Sequence, residues 1–292
     1  MALQRRKFLT ASAMAAGLAY GLPLRNHALS AEDASKSTKM KLGLVTYNWG
    51  KDWDLPAVIK NCEQTKFGGV ELRSTHKHGV EISLSPQERK EVAQRFADSS
   101  VELVGLGSAC EYHSPDPATV RKNIEETKAF IKLCHDVGGE GVKVRPNGLP
   151  KQVPVEKTLT QIGESLREVA EFGAEHGVVI RVEVHGRDGS AELPMIHKMM
   201  EIADHPNAVV CWNCNASDMN GKGLQSNFEL VQDKIGILHI HDLRTTTYPW
   251  KELFALLKKS DFSGWTLIEE GSVPKDIIAS MHENKVLWDQ LS

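Results

Sequence analysis

The chain has 292 residues, 41% of them hydrophobic and 25% charged, and a formal net charge of −3. This is the balance of a soluble globular protein with one large domain or two small ones. It leaves no basic footprint for nucleic acid, and five widely spread cysteines, an odd number, do not read as a disulfide framework.

The N-terminus reads as a leader. Arg5, Arg6 and Lys7 precede an apolar, Ala-rich stretch from Ala11 to Leu24, and Ala28-Leu29-Ser30 offers small residues before Ala31. A basic start, a short apolar core and a small-residue site make a secretory signal over residues 1–30. The adjacent arginines resemble a bacterial twin-arginine signal, which implies a periplasmic or secreted protein. The apolar run is too short and too rich in Ser, Thr and Gly to span a membrane well, so no stable span is expected after cleavage; uncleaved tethering stays open. Loss of residues 1–30 removes four basic residues and no acid, which takes the net charge from −3 to −7. Such a chain repels nucleic acid and anionic membranes. Residues 31–39 are polar and read as a linker.

From residue 40 to 292 the pattern alternates. Strand-like runs are Leu42–Tyr47, Gly69–Leu72, Glu102–Leu106, Gly141–Val144, Val178–Val184, Ala208–Trp212, Ile235–Ile240 and Trp265–Ile268. Helical stretches include Pro86–Ala97, Pro117–Val137, Val155–His176, Leu193–Ala203, Leu224–Gln232, Trp250–Lys259 and Lys275–Leu291. In the second of these, Val120, Ile124, Thr127, Ile131 and Cys134 fall at three- and four-residue spacings, and Gly138-Gly139 supplies the stop. Eight strands alternating with helices predict an α/β fold, a single-domain (β/α)8 TIM barrel. A doubly wound open sheet is the rival, weakened because no Gly-x-Gly-x-x-Gly opens a helix after the first strand.

Strand side chains alternate faces. Arg181, Glu183 and His185 in "VVIRVEVHG" share one face, and so do Ile237, His239 and His241 in "GILHIHDL". In "GWTLIEEG", Leu267 and Glu269 share a face and Glu270 takes the other; in the sixth strand Val209, Cys211 and Asn213 share one. In a barrel these faces point inward, and the C-terminal strand ends form the active-site mouth. Glu183, Asn213, His239 and Glu269 then make a mixed oxygen/nitrogen set suited to Mn, Mg, Co or Zn. The alternative is a set of salt bridges in a polar barrel centre. Lys143 and Arg145 in "GVKVRPNG" end the fourth strand on one face, as ligands for a sugar hydroxyl, carboxylate or phosphate, or as salt-bridge partners of Glu71 or Glu183.

The strings "VEVHG", "CWNCN", "LHIHD" and "GWTLIEEG" resemble the last four strand ends of the xylose-isomerase-like barrels, and "GGVELR" with Glu71 resembles their second-strand signature. The resemblance runs from about Lys41 to the C-terminus. It implies that Glu183 and Glu269 are metal ligands and the acid/base pair, that His239 is a ligand, and that Asn213 stands where the family usually has an aspartate ligand. It implies that His185 touches substrate. His241 stands where the family often has lysine. The chemistry implied is a metal-dependent sugar isomerase or epimerase working by proton transfer through an enediolate. A lyase of the inosose dehydratase kind uses the same intermediate. A non-catalytic carbohydrate-binding barrel, its metal site decayed at Asn213, is the third reading.

Several signals count for less. Cys211-Trp-Asn-Cys214 has redox spacing but spans a strand end rather than opening a helix. Trp49, Trp53, Tyr47 and Tyr112 lie beside the mouth, either to stack on a sugar or as loop packing. His113, with Glu111 in "ACEYHSPD", is a candidate substrate contact. His76 and His78 follow the second strand and are either part of its loop or solvated. The expected partner is a small sugar or polyol, with a homo-oligomer possible.

Overall fold

Helix starts are written in polar caps. In the computed structural model, which describes residues 40–292, Asp54 accepts the Ala57 N–H at 2.9 Å, Asp276 accepts the Ala279 N–H at 2.9 Å, and Asp116 accepts from Ala118 and Thr119. Ser85 and Glu88 form a reciprocal capping box. Each of these satisfies N–H groups that a first helical turn leaves bare. The helices that follow are α1 Leu55–Thr65, α2 Pro86–Ala97, α3 Pro117–Asp136, α4 Val155–Glu175, α5 Leu193–Ala203, α6 Leu224–Val231, α7 Trp250–Lys259 and α8 Ile277–Leu291. The first is not among the seven stretches named from sequence. The leader and linker expected over residues 1–39 lie outside the described residues. Among the described residues no helix is long and apolar enough to cross a membrane.

The strands are β1 Lys41–Val45, β2 Gly69–Arg73, β3 Glu102–Glu111, β4 Gly141–Arg145, β5 Val179–Glu183, β6 Ala208–Asn213, β7 Ile235–Ile240 and β8 Trp265–Ile268. Each pairs in parallel with the next, and β8 closes on β1. The chain is a closed (β/α)8 barrel. β3 runs five residues past its expected end, because Glu111 pairs with Arg145 of β4. Its five added residues, Gly107, Ser108, Ala109, Cys110 and Glu111, carry no β-branched signal.

The barrel wall separates two cores. Outside it, Leu44, Leu72, Leu106, Val144, Val182, Trp212, Leu238 and Ile268 pack against the helices. Inside it, Val45, Val104, Cys211, Ile237, Trp265 and Leu267 form a second, smaller cluster. Arg181 lies within the barrel, donating to the Val104 carbonyl at 2.8 Å with Glu140 3.7 Å away. Space for its guanidinium comes from missing side chains: a Cβ on Gly141 would lie 2.7 Å from Arg181 Cζ. Above it, a Cβ on Gly107 would lie 2.9 Å from Glu71 Oε1.

His78 is buried rather than solvated. Its Nε2–H donates to the Arg73 carbonyl at 2.7 Å and its Nδ1 accepts the Val80 N–H at 3.1 Å, the pattern of a neutral ring. Burial pushes it down from 6.5 to about 4, against the Arg73 carbonyl and with the help of His76.

Two predictions follow from this packing. A Cβ at Gly105 would lie 2.3 Å from the Gly141 carbonyl oxygen and 2.8 Å from Arg181 Nη1. Backbone cannot yield as a side chain can, so Gly105→Ala is expected to cost about 3 kcal/mol in urea unfolding. The unfolded chain protonates His78 near 6.5 while the fold keeps it neutral to about 4. Stability is therefore whole above pH 6.5 and falls as pH drops from there toward 4, by on the order of 3 kcal/mol. His78→Gln should flatten that slope in melts between pH 7.5 and 4.5.

Candidate active site at the C-terminal mouth of the barrel

Four strand ends bring their last inward side chains together. Glu183 ends β5, Asn213 ends β6, His239 lies near the end of β7 and Glu269 follows β8. All four are buried. Ligand atoms of Glu183, His239 and Glu269 lie within 4.8 Å of one another. His239 Nδ1 is 3.3 Å from Glu269 Oε2 and 3.5 Å from Glu183 Oε1. Asn213 Nδ2 donates to Glu183 Oε1 at 2.9 Å and to Glu269 Oε2 at 2.8 Å. Face alternation explains the convergence: the residues between them on each strand, such as Val182, Trp212 and Leu238, point into the outer core.

Lys143 and Glu71 stand just beneath. Lys143 Nζ donates to Glu183 Oε2 at 2.7 Å, with both side chains almost fully buried. Of the alternatives open for Lys143, the salt bridge to Glu183 is the one formed. Glu71 is fully buried, and His239 Nε2 lies 3.4 Å from its Oε1. Neither Glu71 oxygen nor His239 Nε2 has a hydrogen-bond partner among the described residues.

Protonation follows from these neighbours. Burial opposes the charge on Glu183, but Lys143 and then His239 outweigh it and hold the carboxyl well below its usual range. On Glu269 burial is likewise outweighed, here mainly by His239. Burial disfavours charge on His239, yet Cys211 and the carboxylates Glu269 and Glu71 raise the imidazole well above its ordinary value. Lys143 is raised against burial by Glu183, Glu269 and Glu71.

These residues fit a divalent cation. Three buried carboxylates face one ammonium, which leaves two negative charges when His239 is neutral. His239 turns Nε2 to Glu71 and Nδ1 to the two glutamates, the carboxylate–histidine arrangement that orients a metal-ligating ring. The donors are carboxylate and imidazole, as suits Mn, Mg, Co or Zn.

A second polar group rims the mouth. His185 Nδ1 pairs with Asn147 Oδ1 at 2.9 Å, and Asn147 Nδ2 donates to Glu111 Oε2. Asn147 has φ 66° and forms an isolated β-bridge to Gly186, which ties the loops after β4 and β5 together. Burial lowers His185, with Glu183 opposing and Arg145 and Lys143 assisting. A cavity of about 430 Å³ is lined by His185, Arg187, Asn213 and Asn215. Its neighbour, about 600 Å³, is lined by Glu111, His113, Asn123 and Arg187. Asn147 is the residue sequence reasoning missed; its left-handed backbone beside Gly148 is a turn signal, not a chemical one.

The remaining candidates sit apart from the carboxylates. His113 Nδ1 is 3.6 Å from Glu111 Oε2 and lines the larger cavity. Arg145 is half-buried and donates to the Ala109 carbonyl at 3.3 Å. His241 Nδ1 pairs with the Glu269 carbonyl at 2.6 Å and so braces the last strand end. Glu270 faces away, accepting the Asp242 N–H at 2.6 Å. Trp49 and Tyr112 are buried packing, bonded to the Ser272 carbonyl and Thr127. Cys211 and Cys214 are buried free thiols, and burial pushes Cys211 up to about 11.

The family model described as xylose isomerase-like TIM barrel matches residues 59–286. The L-ribulose 3-epimerase of Methylomonas sp. (strain DH-1) is 21% identical over 238 residues, 74% of this chain and 79% of that protein. Among solved structures, D-psicose 3-epimerase with D-tagatose from Clostridium cellulolyticum H10 superposes with a TM-score of 0.73 at 15% identity, over 86% of this chain and 99% of that one. The IolI protein with a bound zinc atom gives 0.74 at 14% identity, over 87% and 99%. The structural likenesses speak for the fold. The match over most of the length shows that this chain belongs to the xylose isomerase-like TIM barrel family.

Proposed function

We propose that the chain is a sugar isomerase or epimerase that removes a proton from a carbon beside a carbonyl and returns it to the neighbouring carbon or to the other face of the same one, assisted by a divalent metal ion. The observation that carries this reading is the pair Glu183 and Glu269, two buried carboxylates bridged by His239 and Asn213 at the barrel mouth. Glu183, His239 and Glu269 would hold the ion, with Asn213 beside them. The similarity to sugar epimerases and to a zinc-binding barrel supports the same reading. When bound there, the ion would supply Lewis-acid polarisation of the substrate carbonyl.

The two glutamates are not equivalent. Both Glu183 oxygens are engaged, one by Lys143 and one by Asn213. Asn213 and His239 both meet Glu269 at Oε2, and its side chain keeps 11% exposure against 2% for Glu183. Glu269 is thus the more accessible base, and Glu183 the group held anionic on the other side. Proton transfer by such a pair needs each within hydrogen-bond reach of the carbon-bound hydrogen. His185, with Nδ1 held by Asn147, keeps Nε2 for a substrate hydroxyl. The substrate is a small sugar or polyol. The leader pattern of residues 1–30 supports a periplasmic or secreted location as part of the same proposal.

The reading is checked by incubating the Mn²⁺-loaded protein with L-ribulose and D-allulose in D₂O and resolving products by chiral chromatography. An epimer or aldose carrying deuterium at the transferred position is expected; a dehydrated product would assign a lyase instead. Glu183→Gln and Glu269→Gln should each lower kcat about 10²- to 10⁴-fold. Unchanged turnover in both would remove the two glutamates as acid and base, and no turnover of either sugar by the wild type would leave a carbohydrate-binding barrel. Asn147→Ala should lower kcat/KM about 10- to 100-fold. Combined with His185→Ala it should add little, because both act through one ring.

A further inference from the structure

Asn213 does not behave as a waiting ligand. Its Nδ2 spans Glu183 Oε1 at 2.9 Å and Glu269 Oε2 at 2.8 Å. Those two atoms dictate the amide's orientation: carboxylate oxygens only accept, so the nitrogen must turn to them and the oxygen away. The loop behind fixes the main chain of residue 213. The Asn213 carbonyl accepts Asn215 Nδ2 at 2.9 Å, and the next N–H, of Cys214, donates to the His239 carbonyl at 3.0 Å. A neutral donor therefore shares the place between two buried carboxylates with His239, whose Nδ1 lies 3.5 and 3.3 Å from the same two oxygens. Aspartate at this position could not donate, and would add a further negative charge above Glu71.

We infer that the Asn213 amide is a built-in stand-in for the metal ion: it cross-links Glu183 and Glu269 in the ion-free protein and competes with the ion for them. The inference rests on the metal reading above. For an ion to enter, Nδ2 must release both carboxylates, and the amide must rotate to offer Oδ1 or withdraw. A neutral amide is also a weaker partner for a hard cation than a carboxylate. The chain thus keeps a stable ion-free form and takes up the ion weakly and reversibly.

Calorimetric titration with Mn²⁺, and thermal melts in EDTA and in saturating Mn²⁺, test this on the full chain with N213D and N213A. N213D is expected to bind Mn²⁺ at least about tenfold more tightly than wild type, to melt lower in EDTA, and to gain more from Mn²⁺. Folding of N213D only when Mn²⁺ is present would be the same result in stronger form. N213A removes the cross-link without adding charge, so it too should melt lower in EDTA while losing less than tenfold in affinity. The inference is overturned if N213A melts like wild type in EDTA, or if its Mn²⁺ affinity drops more than tenfold. It is also overturned if folded N213D binds Mn²⁺ no better than a wild type that does bind, which leaves the metal reading standing. Absence of Mn²⁺ binding in both wild type and folded N213D removes the metal reading along with it.

Discussion

Three carboxylates are buried inside one barrel with Lys143 and His239 among them and Arg181 beneath, and the architecture of the mouth answers to the cost of burying them. An isolated charge taken out of water costs several kcal/mol unless hydrogen bonds and opposite charge meet it. Glu183 is met by Lys143 and Asn213, and Glu269 by Asn213 and His239. Glu71 has only the edge of His239 and the field of Lys143. The glycines of β3 and β4 belong to the same solution, since side chains there would collide with Arg181 or Glu71. Within the proposed function, carboxylates so arranged are in place before substrate arrives, which is the preorganisation that electrostatic catalysis needs.

Much of this was legible in the sequence, and the reasons are local. Apolar runs of β-branched residues separated by capped amphipathic stretches can close in few ways, and the period-two rule alone selects Glu269 over Glu270. It likewise places Glu183, Asn213 and His239 on inward faces. What it cannot provide is pairing. Lys143 had Glu71 and Glu183 as equal candidates, and only the barrel's stagger brings its ammonium to Glu183. The burial of His78 was equally hidden, because its partners are backbone groups of Arg73 and Val80, which every sequence possesses. The extension of β3 escaped notice because its added residues pair without carrying a strand's composition.

Groups on strands and groups on loops are positioned by different means. The carboxylates inherit their geometry from the ladder of the barrel. His185 lies beyond the last residue of β5, and its ring is fixed by Asn147, whose amide reaches on to Glu111. The bridge between Asn147 and Gly186 carries strand-like order past the rim on that side. Residues from the end of β3 and from the loops after β4 and β5 thereby act as one rim although 36 and 38 positions separate the pairs in sequence.

The wall between the two cores has a consequence for how such a protein changes over time. The outer core that fastens helices to strands shares no side chain with the inner one. A residue at a strand's inward end can thus be exchanged without touching the contacts that fasten helices to strands, though its buried neighbours must still meet any new charge. An exchange of asparagine for aspartate at position 213 would be an alteration of that kind: it would change the charge at the mouth and leave the helical jacket untouched. The barrel works as an insulated chassis, in which one lineage can retune its chemistry by single substitutions at the mouth. Homologous barrels at 21% identity over 238 residues are what such insulation permits.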